Sequence, residues 1–553
     1  MKRISAVVVS AGLVAASFAM TPAASAAPKG PAIARESDGV RGVVAGELSA
    51  SFTLAQTTAQ RSLTKSLGSQ RSGNGRAASF AKTQPATAHR HAVVQWATAQ
   101  GFRVLHSSRF LVSVAGPSSA LAAALGTTVH RVGSYTESIS APVVPAELAG
   151  HVSGVVGLDN RPVFRQHSAS FGPADVRAMS NNVVRNSTAG AGVTVGSVNF
   201  APWVKSDLTD WAADPEADGD PAKALTVAPG QITEVPVSGF NTVGDGTDPG
   251  SGEVDLDAEA LLGAAPAAKQ RMYFGDNSDA GSLAIWDKMA TDAAQGLLQV
   301  ATTSWGGCES MFTANELDAE ATAINNLVAA GVTLFAASGD AGAYDCSVDD
   351  PDGTGVDNSL AVDFPASNPN VVGVGGTSTQ PGATPLTYTH EAWGPVVVDT
   401  TPDSTYQGSG SGGGFSSYFS KPAWQPVSAT PGRQVPDIAG LGDPDTGYIG
   451  FLTTDWQGTG SPYGDYSLLG GTSLASPLAA AGLATVIGSV SPIAGLGNIL
   501  PALYATPSAT HDVVGNGNGY YGATAGFDHV TGLGVVDWTA FTSTLGIPDP
   551  TLT

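Results

Sequence analysis

The chain has 553 residues, of which 42% are hydrophobic and 13% are charged, with 69 glycines and 35 prolines. This much apolar sequence can build sizeable cores, which excludes a disordered, collagen-like or coiled-coil chain. The formal net charge of −22 repels phosphate backbones and anionic lipid, so neither nucleic acid nor a membrane surface is expected as a partner.

The charge is divided unevenly along the chain. Residues 1–170 contain 16 basic and 6 acidic residues, a net charge of +10, whereas residues 171–553 contain 9 and 41, a net charge of −32. Opposite charges of this size predict two bodies that attract each other. A polar stretch over 165–170 ends the first of them, so we place the domain boundary near residue 170.

The N-terminus has the pattern of a secretory signal peptide. Two basic residues precede an apolar stretch over 4–20, and a small-x-small cleavage site follows at 24–26. The apolar stretch is shorter than the ~20 residues that a transmembrane helix needs, and no later segment reaches that length. We expect a signal peptide over 1–26, an exported extracellular protein and no membrane partner.

The segment up to residue 170 predicts a small α+β domain with antiparallel strands. Strands are predicted at 47–54, 103–106, 110–114 and 128–132, and helices at 91–100 and 118–125. Ser118 or Ser119 is expected to cap the second of these helices.

From residue 171 the pattern changes to apolar strands that alternate with helices. Strands are predicted at 193–198, 270–274, 300–304, 332–337 and 371–374, and helices at 258–262, 281–295 and 313–330. This alternation predicts an α/β fold with a doubly wound, mostly parallel sheet. Ligands of such a fold meet residues at the carboxyl ends of the strands.

A candidate nucleophile lies in the segment Gly470-Gly-Thr-Ser-Leu-Ala-Ser-Pro. A glycine pair precedes Ser473, a helix-forming run follows it, and Pro477 is expected in the first turn. At a helix N-terminus the backbone N–H groups and the helix dipole stabilise negative charge near the hydroxyl, which suits a nucleophile. On this segment alone, a simple N-cap role for Thr472 or Ser473 is the alternative.

A serine nucleophile needs a base, and the usual base is histidine. Only three histidines follow the domain boundary, His390, His511 and His529. None of them occupies a strand end or a helix start of the kind typical of a triad base. A carboxylate base is therefore the stronger hypothesis.

Two carboxylates have the spacing for this role. Glu253 and Asp257 are four residues apart and fall on one face of a helix, where like charges are destabilising for structure alone. Burial would raise the pKa of at least one of them, which suits a general base that works in acid. A solvated acidic face is the alternative, because Asp255 and Glu259 are charged neighbours.

Asp340 follows the apolar strand at 332–337 through Ser338 and Gly339, which places its carboxyl group at the mouth of the sheet. In its protonated form it could donate a hydrogen bond to a developing oxyanion. A turn aspartate without such a role is the alternative.

Together, the segments around Ser473, Glu253-Val-Asp-Leu-Asp and Ala336-Ala-Ser-Gly-Asp resemble the sedolisins. These are the serine-carboxyl peptidases of the kumamolisin and tripeptidyl-peptidase group. The resemblance implies an enlarged subtilisin-like fold in which a carboxylate replaces the histidine. The implied roles are nucleophile for Ser473, general base for Glu253, partner that orients Glu253 for Asp257, and oxyanion-hole acid for Asp340.

The resemblance also covers the N-terminal half. Residues 94–104, 110–114 and 125–130 resemble the activation prodomain that precedes these enzymes, and Phe171-Gly-Pro-Ala-Asp-Val-Arg resembles the start of their mature domain. The implied order is a signal peptide (1–26), an inhibitory prodomain (27–170) and a catalytic domain (171–553).

A glycine-rich segment near the C-terminus supplies two carboxylates and turns that expose carbonyls, and calcium favours such a mixture of oxygens. By resemblance to the calcium loop of the family, one structural Ca²⁺ would bind the side chains of Asp512 and Asp528. The carbonyls of Val513, Thr524 and Gly526 would complete the set. A glycine-rich loop without metal is the alternative.

Ser304, Trp305 and Gly306 end a predicted strand and resemble the strand that pairs with extended peptide substrate in these peptidases. A core strand is the alternative. Cys308 and Cys346 follow two neighbouring strand ends, and export favours a disulfide between them over two free thiols.

The sequence therefore predicts a secreted, acid-active peptidase that acts on proteins or peptides. We expect a monomer, made as an autoactivating zymogen with its own prodomain as intramolecular inhibitor. One alternative is a histidine-dependent subtilisin-type protease, active at neutral or alkaline pH, and another is a secreted binding protein on an inactive peptidase fold. The sequence is compatible with endopeptidase and tripeptidyl-peptidase action alike.

Overall fold

The structure is a computed structural model. It describes residues 47–68, 76–132, 135–138, 140–158, 171–217, 221–348, 359–382, 384, 386–394, 409–426, 430–453, 464–490 and 493–545. The predicted signal peptide and the predicted boundary near residue 170 lie outside the described residues. Within these ranges, no helix combines the length and the apolar character that a membrane span requires.

The N-terminal region, up to residue 158, is built on a four-stranded antiparallel sheet in the order β2-β3-β1-β6. Its strands are β1 (Glu47–Leu54), β2 (Arg103–Ser107), β3 (Leu111–Pro117), β4 (Val129–Val132), β5 (Tyr135–Ser138) and β6 (Val152–Gly157). Its helices are α1 (Thr58–Gly68), α2 (Arg76–Phe80), α3 (Thr87–Ala99) and α4 (Ser118–Ala124).

Alternating apolar residues of β1 form one face of this sheet. Leu48, Ala50 and Phe52 point into a core that α3 and α4 cover, and Phe52 meets Trp96 edge-on at 5.2 Å between ring centroids. The predicted antiparallel α+β unit is confirmed. One detail is wrong, because Pro117 rather than a serine is at the N-cap of α4. The predicted strand at 128–132 is β4, which pairs antiparallel with β5, and β6, which was not predicted, supplies the fourth strand of the sheet.

The C-terminal region contains the remaining elements. Its strands are β7 (Thr194–Asn199), β8 (Ile232–Pro236), β9 (Lys269–Phe274), β10 (Val300–Thr303), β11 (Gly307–Cys308), β12 (Thr333–Ala337), β13 (Asp363–Phe364), β14 (Val372–Pro381), β15 (Tyr388–Ala392), β16 (Gly414–Ser420), β17 (Gly432–Val435), β18 (Ile438–Leu441), β19 (Tyr448–Leu452), β20 (Asp465–Leu469), β21 (Thr510–His511) and β22 (Val535–Val536). Its helices are α5 (Pro173–Met179), α6 (Lys205–Ala213), α7 (Ser251–Ala264), α8 (Asp279–Ala294), α9 (Ala314–Ala329), α10 (Thr472–Gly488), α11 (Leu500–Tyr504) and α12 (Trp538–Thr544).

A ten-stranded sheet runs through this region in the order β21-β22-β18-β14-β12-β10-β7-β9-β8, with β15 added beside β14. The pairs from β22 to β8 are parallel, and β21 and β15 are antiparallel additions. The predicted α/β fold with a doubly wound, mostly parallel sheet is confirmed. The predicted helix at 258–262 is too short, because α7 begins at Ser251 and so includes Glu253 and Asp257.

Helix α10 lies at the centre of the region. Its sequence has no charged residue, and nearly every position is buried, as expected of a helix that is apolar on all sides. It packs against β10, β12, β14 and β18 and against α7. This packing brings the start of α10 to the carboxyl ends of β10 and β12.

The N-terminal region packs its sheet against α8 and α9. Leu111 and Val156 of the sheet form an apolar cluster with Leu283 and Ala319 of the two helices. Beside this cluster, the carboxylate of Asp287 on α8 contacts two side chains of the N-terminal region, His106 on β2 and Ser108 in the loop after β2. The contacts are Nε2 of His106 at 2.7 Å and Oγ of Ser108 at 2.6 Å.

Candidate active site

Ser473 is the second residue of α10 and is fully buried. The helix starts directly after Gly471, whose φ of +113° is a conformation that favours glycine and allows the sharp entry into the helix. The hydroxyl of Ser473 donates to the carbonyl oxygen of Ser304 at 3.1 Å. The predicted placement of Ser473 at a helix N-terminus is what the structure has.

Pro477 lies inside α10, one turn after Ser473, rather than in its first turn as expected. Proline has no N–H group, so the carbonyl of Ser473 loses the partner that a regular helix would provide. That carbonyl is instead 2.8 Å from the Oγ atom of Ser304. Ser304 therefore contacts the nucleophile residue through both its backbone and its side chain.

Glu253 and Asp257 lie on the same side of α7, one turn apart, and all residues of this helix are buried. Oδ1 of Asp257 is 2.7 Å from Oγ of Ser304, which links this side of α7 to the start of α10. Burial raises the pKa of Asp257 to about 8. The alternative of a solvated acidic face is wrong, because the helix has no solvated side.

Asp340 follows β12 and lies at the start of α10, where it contacts Thr472. Its Oδ1 atom accepts hydrogen bonds from the backbone N–H of Thr472 at 2.9 Å and from the Thr472 hydroxyl at 2.8 Å. The same hydroxyl is 3.1 Å from the N–H of Gly339. Thr472 thus fixes one oxygen of Asp340 next to the nucleophile.

The opposite side of α7 carries two further acidic residues, Asp255 and Glu259, which approach Asp207 of α6. The Thr453 N–H and hydroxyl donate to Asp207, and the Phe451 N–H lies 3.3 Å from both oxygens of Glu259. Neither carboxyl oxygen of Asp255 has a hydrogen-bond partner among the described residues. Burial raises the pKa of all three groups, and the neighbouring carboxyls raise those of Asp255 and Glu259 further.

The three histidines of the C-terminal region are engaged away from Ser473. Burial lowers the pKa values of His390 and His529 to about 4, and His511 is exposed. Their side-chain partners are Thr379 for His390, Asp537 for His511 and Gln434 for His529. This arrangement favours the carboxylates over histidine as the base.

Ser304, Trp305 and Gly306 follow β10 directly, and all three are buried. The ring of Trp305 packs edge-on against Phe200, with 5.6 Å between centroids. The three residues therefore lie at the carboxyl end of the central sheet, and Ser304 contacts Ser473. Cys308 forms the predicted disulfide with a second cysteine 38 residues further along the chain, Cys346.

The predicted calcium ligands lie together in the loop after β21. The N–H of Gly526 donates to Asp512 at 2.9 Å, and the N–H of Thr524 donates to Asp528 at 3.0 Å. Val513 is the buried neighbour of Asp512. Burial raises the pKa of Asp528 to about 6, and the N–H groups of Thr524, Val530 and Thr531 donate to its carboxylate. Two carboxylates and backbone carbonyls are a donor set that fits calcium.

Two contributions to the site were missed in the sequence. Thr472 was considered only as a cap, although its hydroxyl binds Asp340. Ser304 was considered only for its backbone, although its hydroxyl bridges Asp257 and Ser473. The signal for the second was Pro477, since a proline four residues after Ser473 frees a carbonyl that another group must satisfy.

Comparisons with known proteins support the fold. A family model described as the subtilase family matches residues 237–497, and one described as the pro-kumamolisin activation domain matches residues 75–161. Sedolisin from Pseudomonas sp. (strain 101) is 32% identical over 493 residues, which cover 82% of this chain and 78% of that protein. Kumamolisin from Bacillus sp. (strain MN-32) is 31% identical over 451 residues, which cover 76% of each chain.

A solved structure is similar as well. Pseudomonas sedolisin, described as a serine-carboxyl proteinase complexed with two molecules of pseudo-iodotyrostatin, superposes with a TM-score of 0.55 at 28% identity. The match covers 68% of this chain and 98% of that one.

The fold and the activation domain define the chain as a peptidase zymogen of the subtilisin-like class. Within that class the chain belongs to the sedolisin family, the serine-carboxyl peptidases. It is a hydrolase that acts on peptide bonds.

Proposed function

We propose that the chain is a secreted, acid-active peptidase whose Ser473 forms an acyl-enzyme with Glu253, instead of histidine, as the base. The observation that carries this proposal is the convergence of two acidic side chains on the start of α10. Asp257 reaches it through Ser304, and Asp340 reaches it through Thr472. Family membership supports the same assignment.

In the proposed reaction the Ser473 hydroxyl turns from the Ser304 carbonyl toward Glu253. Its oxygen attacks the carbonyl carbon of the substrate while Glu253 takes its proton. Asp340, in its protonated form, donates a hydrogen bond to the oxyanion that develops, which is usually the largest stabilising contribution in acyl transfer. Glu253 then gives the proton to the leaving amine as the C–N bond breaks. Water resolves the acyl-enzyme by the reverse sequence of proton transfers.

The substrate is proposed to lie along the residues that follow β10. Extended peptide pairs with exposed backbone groups largely independently of its sequence, so Ser304, Trp305 and Gly306 would position the bond next to Ser473. Because Asp340 must hold a proton to donate, we expect activity only in acid.

The experiment that tests this function is cleavage of a denatured protein between pH 2 and 9, after acid incubation of the zymogen. Wild type is compared with Ser473→Ala and Glu253→Gln. Acid-only cleavage that both variants lose supports the proposal. Cleavage at neutral pH that survives Glu253→Gln contradicts it and favours one of the three histidines.

The activation domain is proposed to be an intramolecular inhibitor that acid releases. The halves of opposite charge attract each other, and protonation of the acidic half weakens that attraction. The Asp287 carboxylate, held by His106 and Ser108, is a contact of this kind at the interface. We expect Asp287→Asn to speed activation at pH 4 and to permit it at higher pH. Inhibition that persists for hours at pH 4 in the wild type would rule out acid release.

We further propose that one Ca²⁺ binds Asp512 and Asp528 with the carbonyls of Val513, Thr524 and Gly526. When bound, the ion would neutralise the two carboxylates and fix the loop. The loop pairs with the main sheet through β21, so the effect is expected on stability, not on the chemical steps.

A further inference from the structure

The hydroxyl of Ser304 makes two contacts but has only one hydrogen to donate. Its Oγ atom is 2.7 Å from Oδ1 of Asp257 and 2.8 Å from the carbonyl oxygen of Ser473. The carbonyl oxygen of Ser473 can only accept a hydrogen bond, and so can the carboxylate of Asp257 if it is ionised. In that case one of the two contacts would hold two oxygen atoms together with no hydrogen between them.

Pro477 determines where the hydrogen of Ser304 goes. The carbonyl of Ser473 is buried and cannot receive the helical hydrogen bond, because residue 477 has no N–H. A buried carbonyl without a donor is costly, and Ser304 is the donor at 2.8 Å. The hydrogen in the other contact must therefore come from the carboxyl group of Asp257.

We propose that Asp257 is protonated in the resting enzyme and donates its hydrogen to Ser304, which donates in turn to the carbonyl of Ser473. Ser304 is then a positioning residue that fastens the neutral Asp257 to the helix of the nucleophile. This assignment rests on the proposed function for the roles of Ser473 and Glu253, and it adds a protonation state and a residue to it.

The surroundings of Asp257 favour its neutral form. Its carboxyl group is fully buried, and its Oδ2 atom has no hydrogen-bond partner among the described residues. Burial raises the pKa of Asp257 to about 8. None of the ion pairs within the described part of the chain includes this residue.

Charged neighbours do not stabilise an ionised Asp257. Helix α10, β7 and the Ser304 segment have no titratable side chain. The titratable residues on α7 and on the other elements packed against it are Glu253, Asp255 and Glu259 on α7, Asp175 and Arg177 on α5, Lys205, Asp207 and Asp210 on α6, and Tyr448 on β19. Of the two cations, Lys205 is bound to Glu234, and Arg177 lies near Tyr448 and Glu216.

A neutral Asp257 has a consequence for the base. Two adjacent buried carboxyls resist holding two negative charges, so a proton on Asp257 allows Glu253 alone to ionise and to accept the proton of Ser473. Loss of the Asp257 proton at higher pH would add a second charge and would also break the contact with Ser304.

Infrared spectroscopy of the full-length Ser473→Ala chain tests the protonation state directly. This variant cannot cleave itself by the proposed route and keeps the carbonyl at position 473. At pH 6, solvated carboxyls are ionised, and we expect Asp257→Asn to remove one C=O stretching band of a protonated carboxyl. The surface substitution Glu47→Gln is the control and should remove none. An unchanged set of bands after Asp257→Asn would overturn the proposal.

Pro477→Ala provides a second test that keeps Asp257. The alanine N–H can bond the carbonyl of residue 473, which frees the hydroxyl of Ser304 to donate to an ionised Asp257. We expect the Asp257 band to disappear at a pH about one unit lower than in the parent, and Ser304→Ala to abolish this effect of Pro477→Ala. If the Asp257 band disappears at the same pH in Pro477→Ala as in the parent, the proposal is overturned.

Kinetics add a readout in the otherwise wild-type enzyme. Ser304→Ala is expected to lower kcat about tenfold while KM for a peptide changes less than about threefold, since the backbone of residue 304 is retained. The spectra need no catalysis, so the assignment of Asp257 stands or fails separately from the proposed function. Failure of the function itself would appear as peptide cleavage by Ser473→Ala or Glu253→Gln.

Discussion

The two sides of helix α7 hold equal numbers of buried acidic residues in different surroundings. On one side, Asp257 contacts Ser304 at 2.7 Å and through it the backbone of Ser473. On the other side, Asp255 and Glu259 approach a third carboxyl group and backbone N–H groups, with no nucleophile among their contacts.

This contrast shows that burial and a raised pKa do not by themselves identify a catalytic acid. Both sides of α7 have raised pKa values because burial disfavours the charged form. The distinguishing feature of the first side is a hydroxyl relay to the start of α10. The second side has no such relay among the described residues, and we expect its carboxyls to affect stability rather than catalysis.

A large effect is expected when the contrast is extended to Asp340, the acid that contacts Thr472 at the start of α10. Asp340→Leu keeps about the size of the side chain but removes the donor proposed for the oxyanion, whereas an asparagine amide would still donate. We expect kcat/KM at pH 4 to fall about 10²- to 10³-fold, as for the loss of one oxyanion-hole donor. Asp255→Leu, on the opposite side of α7, is the matched control and should stay within about threefold of wild type. Equal losses in both variants would remove the distinction between the acid that contacts Thr472 and the acids on the second side of α7.

A smaller effect is expected from the residue that fixes Asp340. Thr472→Val removes the hydroxyl that binds Oδ1 of Asp340 at 2.8 Å, and we expect kcat to fall about tenfold. Thr485→Val is the control, because Thr485 is buried in the same helix and, within the described part of the chain, its hydroxyl bonds only to the carbonyl of Gly482. Steady-state kinetics at pH 4 measure both, and a loss as large in Thr485→Val would indicate damage to α10 rather than to Asp340.

The second side of α7 is expected to control stability. The folded-state pKa values of Asp255 and Glu259 lie above their unfolded values. Their contribution to stability is therefore complete below the unfolded pKa, near 4, and is lost as pH rises toward the folded pKa. In the Ser473→Ala background, Asp255→Asn should raise Tm at pH 7 by about 5 °C and have little effect at pH 3. Thermal unfolding from pH 3 to 8 measures this, and a Tm difference that is the same at every pH would contradict it.

The smallest effect concerns the proposed calcium loop, which is remote from both sides of α7. Chelation should lower Tm by about 3 °C, and Asp528→Asn should abolish the sensitivity to chelator. The pH dependence caused by Asp255 should persist in the absence of metal. A Tm that chelator does not change in the wild type would rule out a stabilising calcium ion.

The acidic residues of the site could be predicted because short segments carry them. The four-residue spacing of Glu253 and Asp257 requires one face of a helix, and Asp340 follows an apolar strand directly, so local pattern was sufficient. The fold class followed from the alternation of apolar strands and helices. What periodicity could not show is that Asp255 and Glu259 are buried too, because α6 and β19, distant in sequence, cover the other side of α7.

The contacts of the Ser304 and Ser473 hydroxyl groups could not be predicted from the sequence for a similar reason. Ser304 and Ser473 are 169 residues apart, and their contact depends on how β10 and α10 meet in the central sheet. Pro477 affects the carbonyl of Ser473 because α10 already begins at Thr472, which places the proline one turn beyond the nucleophile inside the helix. The β6 strand was missed because its pairing with β1 spans about a hundred residues.

The central claim is that Ser473 uses a carboxylate on one side of α7 as its base. The most direct test compares Glu253→Gln with Glu259→Gln by measuring kcat/KM for one peptide at pH 4, since both substitutions remove the charge of a buried glutamate from the same helix. The account predicts a loss of about 10³-fold or more for Glu253→Gln and less than about threefold for Glu259→Gln. Similar activity in the two variants would contradict it.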